Sequence, residues 1–149
     1  MSVARVFESE AAYLEHLAGE AILPEGFRAA TARLAFTPNE RPTLEPYRMD
    51  LALILLDQPT DAFAGVLTRN AFPGAPIVLA RELLARPTAR GVLVNNKISN
   101  VCSPTGIVDA RRLIGGLARA VGISEEGLFS VSTGIIGWSL PVQEMSGRF

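Results

Sequence analysis

The stretch Gly91-Val92-Leu93-Val94-Asn95-Asn96-Lys97-Ile98-Ser99-Asn100, followed by Val101–Gly106 and then Ile107–Val121, decides the reading of this chain. Gly91–Val94 is a short apolar run and predicts a buried strand. Asn95–Gly106 is polar and predicts a loop. In Ile107–Val121 the apolar residues Ile107, Ala110, Leu113, Ile114, Leu117 and Val121 recur every three or four positions. That spacing predicts an amphipathic helix, with Arg111, Arg112 and Arg119 off the stripe and Gly122 as its C-terminal stop. Strand, polar loop and helix in this order are the unit of an α/β sheet.

Outward from this unit the same signals repeat. Leu128–Ser132 predicts a strand, and Thr133–Gly137 leaves it as a glycine-containing loop. Leu140-Pro141 closes the ordered signal. Upstream, Pro76 suits the first turn of a helix running to Leu84, with Val78, Leu79 and Leu83 inward. Asp50–Leu56 holds six consecutive apolar residues and reads as a strand buried on both faces. Ala62–Thr68 reads as a further strand broken by Gly65, and Asn70–Pro76 as a turn. Phe27–Phe36 is strand-like. Three prolines between positions 38 and 46 exclude regular structure there. Residues 1–22 form a preamble, with a short helix over Glu10–Ala18 capped by Ser9 and carrying Tyr13, Leu14 and Leu17 on one side. The body is 23–149. The resulting fold class is α/β, a mixed sheet packed by helices.

Composition bounds the function. The chain has 149 residues, 48% of them apolar and 19% charged, enough for one cored domain. The formal charge is −1, without the basic footprint of a general nucleic-acid binder. The longest apolar run, Leu51–Leu56, is far short of the roughly 20 residues that span a bilayer. The first residues show no signal-peptide pattern, so a cytoplasmic protein is expected. One Cys and one His exclude an internal disulfide and argue against a protein-only zinc site, so no metal and no cofactor are expected.

Chemistry concentrates in two loops. Asn95–Gly106 lies between a strand and a helix start, where backbone N–H groups face a cleft and hold an oxyanion or carboxylate. The same Asn and Ser side chains also serve as ordinary turn and cap groups. Ser132-Thr133-Gly134 sets hydroxyls before a glycine that permits close approach of a ligand, or is a plain strand-ending turn. Cys102 lacks a nearby base, since the only His is His16 in the preamble, and it reads as a buried inert thiol. His16 reads as a surface residue. Trp138 reads as a pocket wall or a packing residue.

Taken in order, six segments resemble the N-terminal half of the ornithine acetyltransferase (glutamate N-acetyltransferase) family. They are Pro24–Phe27, Asp50–Ile54, Ala64–Asn70, Ala75–Val78 with Arg81-Glu82, Asn95–Cys102, and Ser132–Gly137 followed by Leu140-Pro141. The last is close to the family's Ser-Thr-Gly-Val-Ile-Gly-x-x-Leu-Pro. The resemblance implies a layered mixed-sheet sandwich of the ornithine acetyltransferase or DmpA-like type. It implies a precursor of arginine biosynthesis that cleaves itself into two chains, assembled as α2β2. A Thr at the N-terminus of the second (beta) chain would carry acetyl from N-acetylornithine to glutamate by ping-pong transfer. The first chain would supply the oxyanion hole and a substrate-contacting Thr, which by motif is Thr133, beside Gly134.

The departures fall in the same loop. Pairing Asn100-Val101-Cys102 with the family's Asn-Ala-Cys puts Ser103 and Pro104 on its oxyanion Thr and Gly. Proline has no N–H, so half the hole would be missing, at about 2.7–4 kcal/mol. A shifted pairing uses Thr105 and Gly106 and keeps both donors. Lys97 stands where the family has small or amide residues, and with Asn100 it is a substrate-binding candidate. The nucleophile and the cleavage junction are not among these residues. A same-fold amidase, an acyltransferase for another amino acid, and a non-catalytic truncated relative are the competing readings.

Overall fold

The computed structural model describes residues 5–149, so the first four residues of the predicted preamble lie outside the described residues. The elements run α1 (Glu10–Glu20), β1 (Phe27–Phe36), β2 (Tyr47–Thr60), α2 (Ala75–Leu84), β3 (Ala89–Asn95), α3 (Gly106–Val121), β4 (Leu128–Ser132) and α4 (Val142–Ser146). The four strands form one sheet in the order β1-β2-β3-β4. The first two pairings are antiparallel and β3 with β4 is parallel, with Asn95 beside Ser132 at their carboxyl ends. A parallel pair needs a crossover, and α3 supplies it. The sheet is mixed, as the residue pattern predicts.

The core lies on one face. Leu34, Phe36, Met49 and Leu51 close over Ile98, Leu113, Leu140 and Met145. Leu55, Leu93 and Leu128 close over Ile114, Leu117 and Ala118. The α3 stripe therefore packs as predicted through its middle, but its ends differ. Ile107 and Val121, at its two ends, are both 39% exposed. Gly122 caps the helix in the left-handed region at φ 72°, as its type suggests. In α2 the buried residues are Ala75 and Leu79, while Val78 and Leu83 are only half-buried.

Three further expectations are corrected. The β2 run is not buried on both faces: Leu51 and Leu55 are buried but Ile54 is 40% exposed. Alternation, not continuous burial, governs it, since no element covers the second face there. Ala62–Thr68 is not a strand but an irregular loop. Side chains capture its backbone locally: Thr60 Oγ1 accepts from the Ala62 N–H at 3.1 Å and Thr68 Oγ1 from the Asn70 N–H at 3.2 Å. Finally, order does not end at Leu140-Pro141. The short α4 follows and buries Met145, a single apolar anchor that five residues cannot announce by periodicity.

The preamble helix forms as read, with Ser9 accepting from the Ala12 N–H at 3.2 Å. None of its residues is buried. His16 is half-buried there and stacks on Phe7 with ring centroids 5.1 Å apart. Trp138 packs edge-on against Tyr47 at the rim of the core, centroids 5.3 Å apart. Among the described residues no helix is long and apolar enough to cross a membrane.

Candidate functional site

The parallel pair β3–β4 delivers two loops from the same end of the sheet, 96–105 and 133–141. Crevices at the carboxyl ends of parallel strands are where α/β proteins bind ligands. Here the two loops are clasped together. The Thr133 N–H donates to the Asn95 carbonyl at 3.1 Å, Ile135 to Lys97 at 2.8 Å, and Gly137 to Val101 at 2.8 Å. Ser99 returns both its N–H (3.0 Å) and its hydroxyl (2.9 Å) to the Ile135 carbonyl. Ser132 Oγ donates to Asn95 Oδ1 at 2.7 Å, and Asn95 Nδ2 donates to the Ile98 carbonyl at 2.9 Å. Ile98 is wholly buried beneath the clasp.

The clasp holds strained backbone. Lys97, Asn100 and Cys102 all have positive φ, at 73°, 54° and 59°. Each such residue costs on the order of 1–3 kcal/mol and persists only where its surroundings over-determine it. Gly134 explains how the loops come so close. Its φ is 132°, and a Cβ there would fall 2.2 Å from the Lys97 carbonyl carbon. Only glycine fits.

Asn100 ties the clasp to both helix starts. Its carbonyl accepts from the Ala75 N–H at 3.0 Å, and its Nδ2 donates to the Gly106 carbonyl at 3.0 Å. It is 1% exposed, and its Oδ1 has no partner among the described residues. Gly106 is required beneath it, because a Cβ would sit 2.4 Å from that oxygen. Lys97 projects from the exposed side of the loop. The Arg33 guanidinium (2.5 Å) and then the Asn96 amide (3.1 Å) hold the Asp50 carboxyl below its ordinary range, with Lys97 adding a smaller attraction. Cys102 is exposed, which corrects the expected buried thiol: left-handed backbone turns its side chain outward.

The four oxyanion candidates lie at the N-terminus of α3. The Thr105 hydroxyl donates to the Asp109 carboxylate one turn on. The Gly106 N–H turns back to the Ser103 carbonyl at 3.3 Å. The Ser103 hydroxyl donates to Ser139 Oγ at 3.5 Å. Pro104 lies between, exposed and without an N–H. Thr105 and Asp109 line a polar cleft of about 490 Å³ with Asn39, Ser139 and Gln143. Thr133 and Gly134 instead line an apolar cavity of about 910 Å³, with Ile54, Phe129 and Val131 of the open sheet face. The structure thus joins the two loops but sets Thr105 and Thr133 on two different recesses, while Ser103, Pro104 and Gly106 line neither.

Sequence reasoning passed over Ser139 and Glu40. Ser139 directs both its N–H (2.9 Å) and its hydroxyl (2.7 Å) to the Glu40 carboxylate across 99 residues. Partial burial would raise the Glu40 carboxyl, but the Ser139 hydroxyl, Glu40's own backbone N–H and the Ser139 N–H together outweigh it and hold it below its ordinary value. Only folding brings the two together, so no local signal marks them.

Fold and site define a layered mixed-sheet α/β domain with a strained two-loop clasp at the carboxyl ends of its parallel strands. Residues 40–149 match the ArgJ family. The arginine biosynthesis bifunctional protein ArgJ of Nitratidesulfovibrio vulgaris is 42% identical over 119 residues, which cover 78% of this chain and 28% of that protein. The mitochondrial ArgJ of Fusarium vanettenii is 32% identical over 139 residues, 91% of this chain and 29% of that protein. Among solved structures, the ornithine acetyltransferase of Mycobacterium tuberculosis, complexed with ornithine, superposes with a TM-score of 0.67 at 29% identity. That match covers 84% of this chain and 64% of the other. The ArgJ protein of Bacillus halodurans gives 0.64 at 25% identity, covering 83% of this chain and 61% of the other. The chain belongs to the ArgJ family, and it spans under a third of the length of these curated relatives.

Proposed function

We propose that this chain is the first-chain portion of an acyltransferase that moves an acetyl group from N-acetylornithine to glutamate. Its partner is a second chain whose N-terminal Thr is the nucleophile. The observation that carries this reading is the family match over residues 40–149, a span that holds the whole clasp and most of the lining of both recesses. The body, residues 23–149, is incomplete alone: its open sheet face is apolar and receives the second chain. Thr133 and Gly134, at the rim of that face, contact the substrate, with Lys97 available to a carboxylate. Asn100 acts from beneath, by fixing where α3 begins. The assembly is α2β2 and works in the cytoplasm.

Magnitudes choose between the two hydroxyls. The Thr105 proton is committed to a carboxylate, and charge-assisted bonds are roughly twice as strong as neutral ones. The Ser103 proton is held by a neutral hydroxyl at 3.5 Å, near the limit of a hydrogen bond. Ser103 is therefore the donor more cheaply turned toward a developing oxyanion, and the α3 N-terminus adds its dipole. Ser103→Ala should lower kcat by about 10²–10³, the usual loss of one such donor, and Thr105→Ala by much less. Acetyl transfer from N-acetylornithine to glutamate by the two-chain assembly measures both. No turnover by an intact assembly whose second chain begins with Thr would sink the reading.

Pro104 favours a second reading, a same-fold amidase or an acyltransferase for another amino acid, because it removes one backbone donor from the loop. A panel of N-acyl amino acids given to the same assembly separates the two.

A further inference from the structure

We infer that residues 64–69 are a strand without a sheet, to which a β-strand of the second chain adds on assembly; the inference rests on the two-chain reading above. From Ala64 to Arg69 no backbone N–H has a partner among the described residues. Of their carbonyls only that of Thr68 accepts, from Arg81 Nη2 at 3.2 Å. The segment is nevertheless seated on the body. At its start the Phe63 ring meets Phe129 edge-on, with centroids 6.4 Å apart. Gly65 lies so close to Leu84 that a Cβ would fall 2.9 Å from its Cδ2. Leu67 is half-buried and lines the apolar cavity. Positions 63, 65 and 67 thus face the body, while Val66 between them is 99% exposed. That is the two-residue alternation of a strand.

The residue pattern reads Ala62–Thr68 as a strand, and what the segment lacks in the structure is a partner. The four strands pair with one another in a single sheet, and none of them pairs with this segment. Six consecutive unpaired residues, with one side-chain face anchored, are a template for strand addition. Two observations favour the second chain as the occupant. The segment borders the same apolar cavity that the second chain covers in the reading above, so one surface continues into the other. The matches also cover only 28% and 29% of the two curated relatives, so family members carry ample chain beyond this span to supply a strand. Main-chain hydrogen bonds hold the added strand, and Val66 gives the incoming chain an apolar contact.

Hydrogen exchange tests this without any substitution. In the isolated chain the amides of residues 64–69 should exchange as exposed backbone does. In the two-chain assembly alternate amides should slow by about 100-fold or more, since one edge of a strand offers every second N–H. Proline substitution supplies the second measurement. Neighbouring N–H groups point to opposite edges, so one of Val66→Pro and Leu67→Pro must remove a ladder donor. That variant should weaken binding of the second chain about 10-fold or more, against under about threefold for alanine at the same position. Amides that stay fast in an active assembly overturn the inference, as do proline variants that bind as tightly as their alanine counterparts. Either result leaves the acyl-transfer reading standing. An assembly with slowed amides but no acetyl transfer supports the strand addition and sinks the acyl-transfer reading instead. A second chain that never binds overturns both.

Discussion

On one face of the sheet Leu51, Leu55, Leu93 and Leu128 are no more than 6% exposed, packed under α3 and its neighbours. On the other face Ile54 and Val131 are 40% and 43% exposed, and Ile135 and Ile136 of the clasp loop stand out beside them. Phe63, from the irregular 61–74 loop, reaches over to Phe129 with ring centroids 6.4 Å apart, but the cavity beneath stays open. Side chains of the same chemistry thus serve two ends. The first set stabilises this chain by itself. The second set is apolar surface of the kind that marks an association site.

The largest expected effect lies on the closed face. Leu113→Ala removes a side chain that is 1% exposed from beneath β1 and β2, and should cost about 2–5 kcal/mol in urea unfolding of the isolated chain. Ile54→Ala, on the open face, should cost well under half as much. Equal costs would break the distinction between the faces. Next comes the rim where the two meet. Gly134→Ala forces a Cβ into the Lys97 carbonyl and should destabilise the chain by about 1–3 kcal/mol, with the 97–102 amides losing hydrogen-exchange protection first.

A third substitution sharpens the comparison. Val131→Asp places charge on the open face and should shift the isolated chain's stability by less than about 1 kcal/mol. It should nevertheless abolish co-purification of the proposed second chain. Retained assembly would show that the apolar face serves something else. The smallest effect concerns the polar cleft. Glu40 has a folded pKa below its ordinary 4.5, so its stabilising contribution is complete above about pH 4.5 and fades as pH falls through the folded value. Glu40→Gln should therefore lower thermal stability slightly at neutral pH, converge with the unsubstituted chain at acid pH, and so flatten a minor part of the acid limb of the stability profile.

Much of this was legible residue by residue. The 3.6-residue spacing of Ala110, Leu113, Ile114 and Leu117 marks α3, and Gly122 marks its end. The polar run from Asn95 and the Ser132-Thr133-Gly134 turn mark the loops that form the clasp. What stayed illegible depends on partners distant in the chain. Ile54 has the composition of a fully buried residue, and nothing beside it records that its face is uncovered. Cys102 reads as a buried thiol until the left-handed backbone of its loop is seen. Thr105 and Thr133 both read as site residues, but adjacency of loops says nothing about which recess each lines.

By itself the sequence determined where the strands, the crossover helix and the two chemistry-bearing loops lie. Periodicity, prolines and glycines act over a few residues, and local backbone energetics answer to them directly. Only the tertiary structure decided which face is closed, how Gly134 lets two loops clasp, and that Glu40 meets Ser139. Those outcomes follow from contacts between residues tens of positions apart, and such contacts exist only once the chain has packed.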